Sequence, residues 1–346
     1  MKLAFPECGA ALLLPLTLPA VFPAPEGNTP LGLSLAWLVC MLALALPAAF
    51  LEFALVRRSR QWPLAGIAAI TRDSDARTAW RGLVPFGMGL LAVLAALSVG
   101  AGADFVPDEP SWLADATPWA LLAVAAGIAW VGASRVLGVG GVLAAGAVMT
   151  AVVLGGPNVH FALPTAEGWR YAALLALLSG GAGAGVQAWL AQRRPGDDSA
   201  AASILPFWGL QVLAGILALM AGDIRHQPAV CAYLVPALFA TALMLDVLMQ
   251  QLQSRGRSKP VALAIAAGGV GALVIPAGVP TFLTLVQLGG LLPLLVLAVF
   301  VGWVMKISHV RKALNLPSEG VYNLWRVAVR LLVPGVCLWV MAGVFL

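Results

Sequence analysis

Apolar segments about as long as a bilayer-crossing helix recur eleven times along the chain, at 8–23, 31–56, 83–106, 118–134, 136–155, 170–191, 201–222, 229–251, 261–278, 281–304 and 325–345. Short clusters rich in charge, Gly or Pro separate them. A hydrocarbon core of roughly 30 Å takes about 20 helical residues to cross. A chain that is 61% hydrophobic and only 10% charged has too little polar surface to clothe a soluble globule of 346 residues. Ten-residue runs of alternating polarity, which would mark an outer-membrane barrel, do not occur. The sequence therefore predicts an all-α membrane protein of about 11 transmembrane helices in a single domain over 1–346, because no loop is long enough to hold a soluble one.

The charges sort by side. Arg57, Arg58, Arg60, Arg72, Arg77 and Arg81 lie between the second and third spans, Arg193 and Arg194 follow the sixth, Arg255, Arg257 and Lys259 follow the eighth, and Lys306, Arg311, Lys312, Arg326 and Arg330 surround the gap before the last. If every span crosses, these gaps share one side. The other side carries Asp104, Asp108, Glu109, Asp115, Glu167 and Asp223, with Arg170 and Arg225 as its basic residues. The excess of basic residues marks the cytoplasmic side, so the amino terminus is expected in the cytoplasm and the carboxyl terminus outside. Topology thus accounts for the net charge of +5, and no nucleic-acid partner is implied.

Cys8, Cys40, Cys231 and Cys337 sit in apolar surroundings with no CxxC pair, and His160, His226 and His309 are scattered over loops. Neither set predicts a metal site or a cofactor. No acid/base, nucleophile or phosphate-loop constellation appears, which argues against an enzyme; the glycines of GVGGVLAAG read as helix packing. Lys2 and the apolar run to Phe22 have the outline of a secretory signal, but prolines punctuate the run and no small-x-small cleavage site is clear. Retention and cleavage leave the later spans oriented alike.

Two spans are badly built for regular helix. LSGGAGAGVQ puts Gly180, Gly181, Gly183 and Gly185 in the middle of the sixth. Each costs about 1 kcal/mol relative to alanine in a helix. The first span holds Pro15, Pro19 and Pro23, and an interior proline removes a backbone donor and clashes with the preceding turn. In lipid such breaks survive only where the freed amides and carbonyls face protein or a water-filled hollow. First and sixth are equivalent positions if spans one to five (about 8–155) and six to ten (about 170–304) are inverted repeats, with 325–345 as an additional helix. Interrupted spans in matching positions are the sequence pointer to a transporter site at mid-membrane.

With these features the chain resembles the neurotransmitter:sodium symporters, in particular bacterial members with the LeuT-type fold. ALPAAFLEFALVRRSRQWPLAG is similar to the family's second-helix pattern through Pro47, Glu52, Arg57, Arg58 and Pro63. WRYAALLALLSGGAGAGVQAWL is similar to the broken sixth helix, retaining Ser179, Gly183 and Gly185; LVPALFATALMLDVLMQQLQSRGRSKPVAL resembles the eighth helix and its basic turn; NLWRVAVRLLVPGVCLWV matches the Trp-Arg, Arg-x-x-x-Pro opening of a late helix.

The resemblance implies a 5+5 inverted repeat with discontinuous helices 1 and 6, residence in a bacterial inner membrane, and transport of a small, amino-acid-like solute bound between those helices. The match places Leu18 and Leu97 at solute positions. At the two breaks themselves Thr17, Ser179, Gly180, Gly181, Gly183 and Gln187 are the candidates, the hydroxyls serving either the solute or the preceding turn and Gln187 either the solute or an interhelical hydrogen bond. The sodium-site positions include Ala214, Gln211 and Thr241. Leu18 stands where the family has asparagine, Val21 where it has the gate arginine, Leu97 where it has tyrosine, and Thr241 is the one candidate hydroxyl of the eighth helix. A bare cation is costly to desolvate without several oxygen ligands, so sodium coupling is doubtful and a proton remains an alternative. Glu52 and Asp246 lie where they can pair with Arg57, Arg58 or Arg255 or relay a proton. The same losses fit a second reading, a non-transporting subunit or regulator that packs in the bilayer against another membrane protein.

Overall fold

A computed structural model describes residues 3–104, 111–156, 160–180, 185–196, 198–222, 233–277 and 279–345. The helices are α1 (Phe5–Val21), α2 (Pro30–Ser59), α3 (Pro63–Asp73), α4 (Leu83–Ala103), α5 (Ser111–Val131), α6 (Leu137–Gly155), α7 (Ala166–Ser179), α8 (Val186–Arg193), α9 (Ala200–Met220), α10 (Leu234–Gln253), α11 (Lys259–Ala277), α12 (Thr281–Val304), α13 (Ile307–Leu314) and α14 (Glu319–Ala342). Among the described residues nine helices are long and apolar enough to cross a membrane; the short α1 and the α7–α8 pair bring the crossings to eleven. The protein is a multi-pass, all-helical membrane protein.

Local chemistry sets the ends. Pro30 and Pro63 open α2 and α3, where a missing amide costs nothing. Thr29, Thr165 and Ser318 cap their helices by accepting the amides of Gly32, Gly168 and Val321 at 3.2, 3.1 and 3.2 Å. Gly256, at φ +80°, makes the left-handed turn between α10 and α11.

Cross-links between loops confirm the sorting of gaps by side. Arg57 donates to the Asp198 carbonyl, Arg255 to the Leu64 carbonyl at 2.8 Å, Lys306 pairs with Asp75 at 2.7 Å, and Arg194 pairs with Glu7. All the basic gaps thus meet at one end of the bundle, called here the basic end. At the other end Asn28 and Thr29 bond to Thr165 and Ala162, and Arg170 donates to the Gly343 carbonyl at 3.0 Å.

The expected break in the first span is not there: α1 is continuous from Phe5 to Val21. Pro15 and Pro19 are four residues apart and share a face, so the carbonyls they orphan, those of Ala11 and Pro15, are stacked on that face as well. Leu13 to Leu18 are buried, and α4, α6, α7, α9 and α10 pack around the helix. Its regular winding stops only at Phe22, ahead of Pro23. The sixth span is interrupted as expected, α7 ending at Ser179 and α8 starting at Val186; Gly181 and Gly183 lie outside the described residues.

Prolines act elsewhere instead. In α2 the turn Met41–Ala45 is widened to i→i+5 bonding, with the Leu46 amide reaching the Met41 carbonyl just before Pro47. In α14 the same widening at Ala328–Leu332 precedes Pro334. Helix α13 and the first six residues of α14 fall in what reads as a polar gap. They are amphipathic, burying Val310, Leu314 and Tyr322 against the basic end.

Candidate functional site

The interruption of the sixth span is the centre of the site. From Tyr171 to Ser179 every residue of α7 is buried, so its end projects into the protein. A Cβ on Gly180 would stand 3.0 Å from both the Cβ and the carbonyl oxygen of Ala45, so the break seats against the widened turn of α2. Gly185 takes a left-handed φ of +88° and turns the chain into α8.

Glu52 of α2 closes that start. One carboxylate oxygen accepts the Gly185 amide at 2.9 Å and the other the Ala188 amide at 3.0 Å. A carboxylate at a helix amino terminus satisfies orphan donors and meets the positive end of the dipole. Those two amides are therefore taken by the protein's own anion and are closed to a substrate carboxylate. Arg58 pairs with Asp73, and Asp246 is not in an ion pair among the described residues, contrary to its expected arginine partner. Its carboxylate instead accepts the Trp189 indole at 3.2 Å and the Gln250 amide, pinning α8 to α10.

At this break and on α10, polar side chains are buried without partners among the described residues. Gln211 of α9 donates to the Ser179 carbonyl at 2.6 Å, but its Oε1 has no hydrogen bond among the described residues. The same holds for Ser179 Oγ, both amide atoms of Gln187 and Thr241 Oγ1. Ser179, Gln187 and Thr241 are fully buried. Thr17, by contrast, is satisfied within α1, donating to the Leu13 carbonyl at 2.7 Å. Leu18, Leu97 and Ala214 are buried apolar positions that offer no side-chain oxygen.

The large hollows lie above and below the break. At the end opposite the basic one, a cavity of about 560 Å³ is lined by Pro19, Ala20, Leu33, Tyr171, Ala218 and Tyr233 among others. Tyr171 spans from α7 to donate to the Phe22 carbonyl at 3.0 Å. Two of the chain's three tyrosines thus line this vestibule. No motif marks them, since Tyr171 sits inside the apolar run of α7 and Tyr233 just ahead of α10; their scarcity is the one available signal. Beside Glu52 and Gly185 there is room for about 20 Å³ only. On the basic side Glu7, 3% exposed, receives both Nε and Nη2 of Arg194, joining the start of α1 to the residue after α8.

Among solved structures, the crystal structure of MhsT in complex with L-phenylalanine aligns with TM-score 0.73 and 14% identity, covering 100% of this chain and 99% of that one. No family model matches the chain, and no curated protein matches it in sequence. The likeness shows the fold, which is LeuT-type.

Proposed function

We propose that the protein is a secondary transporter, a divergent member of the neurotransmitter:sodium symporters, that carries a small amino-acid-like solute across a bacterial inner membrane with its basic end in the cytoplasm. The observation that carries this reading is the set of buried polar atoms without partners among the described residues, on Ser179, Gln187 and Gln211 at the break and on Thr241 of α10. Leaving a buried donor or acceptor unmade costs about 1–3 kcal/mol each, an expense a purely structural core avoids. In this reading the described state is occluded: the solute enters by the vestibule beneath Tyr171 and Tyr233, meets Ser179, Gly180, Gly181, Gly183 and Gln187 at the break beside Thr17, Leu18 and Leu97, and leaves when the Glu7–Arg194 contact parts. The aliphatic Leu18 and Ala214 leave Thr241 and Gln211 as remnants of sodium sites, so coupling does not run through side-chain sodium ligands. A solute carboxylate is held away from the Glu52-capped start of α8.

Purified protein would be screened with amino acids, with and without sodium, by thermal unfolding, and stabilising solutes followed into proteoliposomes. Saturable uptake that is indifferent to sodium is expected. Stabilisation follows mass action whatever the coupling.

The second reading, a membrane-embedded subunit or regulator, is favoured by the unbroken α1 and by side chains filling the bundle centre. No ligand-dependent shift and no uptake, together with a co-purifying membrane protein, would decide for it.

A further inference from the structure

Another hollow has no part in that cycle. It opens at the basic end between the last turn of α2, the end of α8 and α13, with a volume of about 960 Å³. Arg57, Arg58, Arg60, His309 and Lys312 line it, and among the described residues its lining includes no aspartate or glutamate, although the Asp198 carboxylate lies close to Gly196 at its edge. Arg58 engages Asp73 through Nη2, yet its Nε is buried without an acceptor among the described residues, and so is Nε2 of Gln192 at the end of α8. Buried N–H donors without acceptors are costly, and crowded guanidinium and ammonium groups repel one another. Both costs fall if an oxyanion enters.

We infer that this cavity is a binding site for a phosphate-bearing anion, with Arg58, Gln192 and Lys312 as its donors. Guanidinium groups match phosphate oxygens in bidentate geometry, and basic pockets between helices at this face of a membrane suit anionic head groups. The volume exceeds what inorganic phosphate fills and lies at the upper end of the roughly 300–1,000 Å³ of small-molecule sites. Helix α13, one wall of the cavity, leaves Ile307 43% exposed beside its basic residues, an apolar side chain offered to an acyl chain. A lipid head group and a soluble polyphosphate share this chemistry.

The test measures thermal unfolding of the full chain in neutral detergent against short-chain phosphatidylglycerol, pyrophosphate or phosphatidylcholine. Wild type, Lys312→Glu and Arg257→Glu are compared; Lys312 and Arg257 are exposed, and Arg257 lies outside the cavity. Saturable stabilisation by phosphatidylglycerol or pyrophosphate is expected, with affinity cut roughly tenfold or more by Lys312→Glu, the size of exchanging a basic contact for an acidic one near a charged surface, and unchanged by Arg257→Glu. Phosphatidylglycerol acting alone identifies a lipid, pyrophosphate alone a soluble ligand. No stabilisation, equal stabilisation by phosphatidylcholine, or equal loss in both variants overturns the inference. So does an unchanged affinity in Lys312→Glu with Lys312→Gln behaving alike. Uptake of solute plays no part in this readout, so its failure leaves the transport reading standing, and the reverse.

Discussion

At the scale of single residues, Gln187 is where stability and function pull apart. Its amide is fully buried and makes no hydrogen bond among the described residues. Gln187→Leu has similar bulk and removes the desolvated group, so the ligand-free protein is expected to unfold later, gaining about 1–2 kcal/mol. If Gln187 serves the solute, the same variant loses ligand-dependent stabilisation; thermal shifts with and without solute read both effects. Glu52 behaves in the opposite way. Glu52→Ala leaves the Gly185 and Ala188 amides bare and is expected to cost about 2–3 kcal/mol, the range for a hydrogen-bonded charged group. Glu52→Gln keeps one acceptor and should fall between. Gly9 sits against the backbone of α6, where an added Cβ would overlap the Leu137 carbonyl, and Gly141 approaches Gly9 in return. Neither backbone can yield, so Gly9→Ala is expected to lower stability by about 1–3 kcal/mol, visible as an earlier melting midpoint.

At the scale of elements, apolar length and charge parity in the sequence suffice for the eleven crossings and for which gaps meet at the basic end, because lipid imposes both directly. The glycine cluster identifies the sixth-span break for a similar reason: Gly185 needs the left-handed conformation that other residues resist. The first span misleads, since proline's cost depends on what surrounds the freed carbonyls, and that surrounding comes from α4, α6, α9 and α10, far away in sequence. The Glu52 cap is equally non-local, 133 residues from Gly185. Helix α13 escapes an apolar-length criterion because it is amphipathic and lies at the end of the bundle. Its position depends in part on Lys306, whose ammonium next to Asp75 holds that carboxyl below the ordinary aspartate value. A carboxyl depressed on folding stabilises above its unfolded pKa and loses that contribution as pH falls through its folded one. Acidification below about pH 4, the ordinary aspartate range, is therefore expected to loosen the α12–α13 joint, and Asp75→Asn to abolish that dependence, as hydrogen exchange over 306–314 would record. The pair is exposed, so the effect is small.

At the scale of the whole molecule, the two halves of the proposed pathway are sealed by different chemistry. The vestibule end is closed by apolar packing of Leu13 to Leu18 and by Tyr171 holding Phe22. The basic end is latched by an ion pair between Glu7 and Arg194, at the beginning of the first span and just past the end of the sixth. Glu7 also accepts its own helix's Ala4 amide at 2.8 Å, so the carboxylate organises α1's first turn while it holds Arg194. Removing one partner of a buried pair strands the other charge, which then seeks water. Arg194→Ala should therefore let the start of α1 swing away from α8 and expose its neighbour Cys8, which is already partly accessible while Cys40 and Cys337 are buried. In a variant keeping Cys8 alone, maleimide labelling is expected to speed up severalfold on Arg194→Ala. The restoring arrangement is the charge swap Glu7→Arg with Arg194→Glu, which should slow it again. A solute that binds the occluded state should slow labelling in the wild-type pair and do less in Arg194→Ala. If labelling is the same in all of these, the basic end does not open through the Glu7–Arg194 contact, and alternation between the two ends would have to be sought in α2 and its widened turn before Pro47.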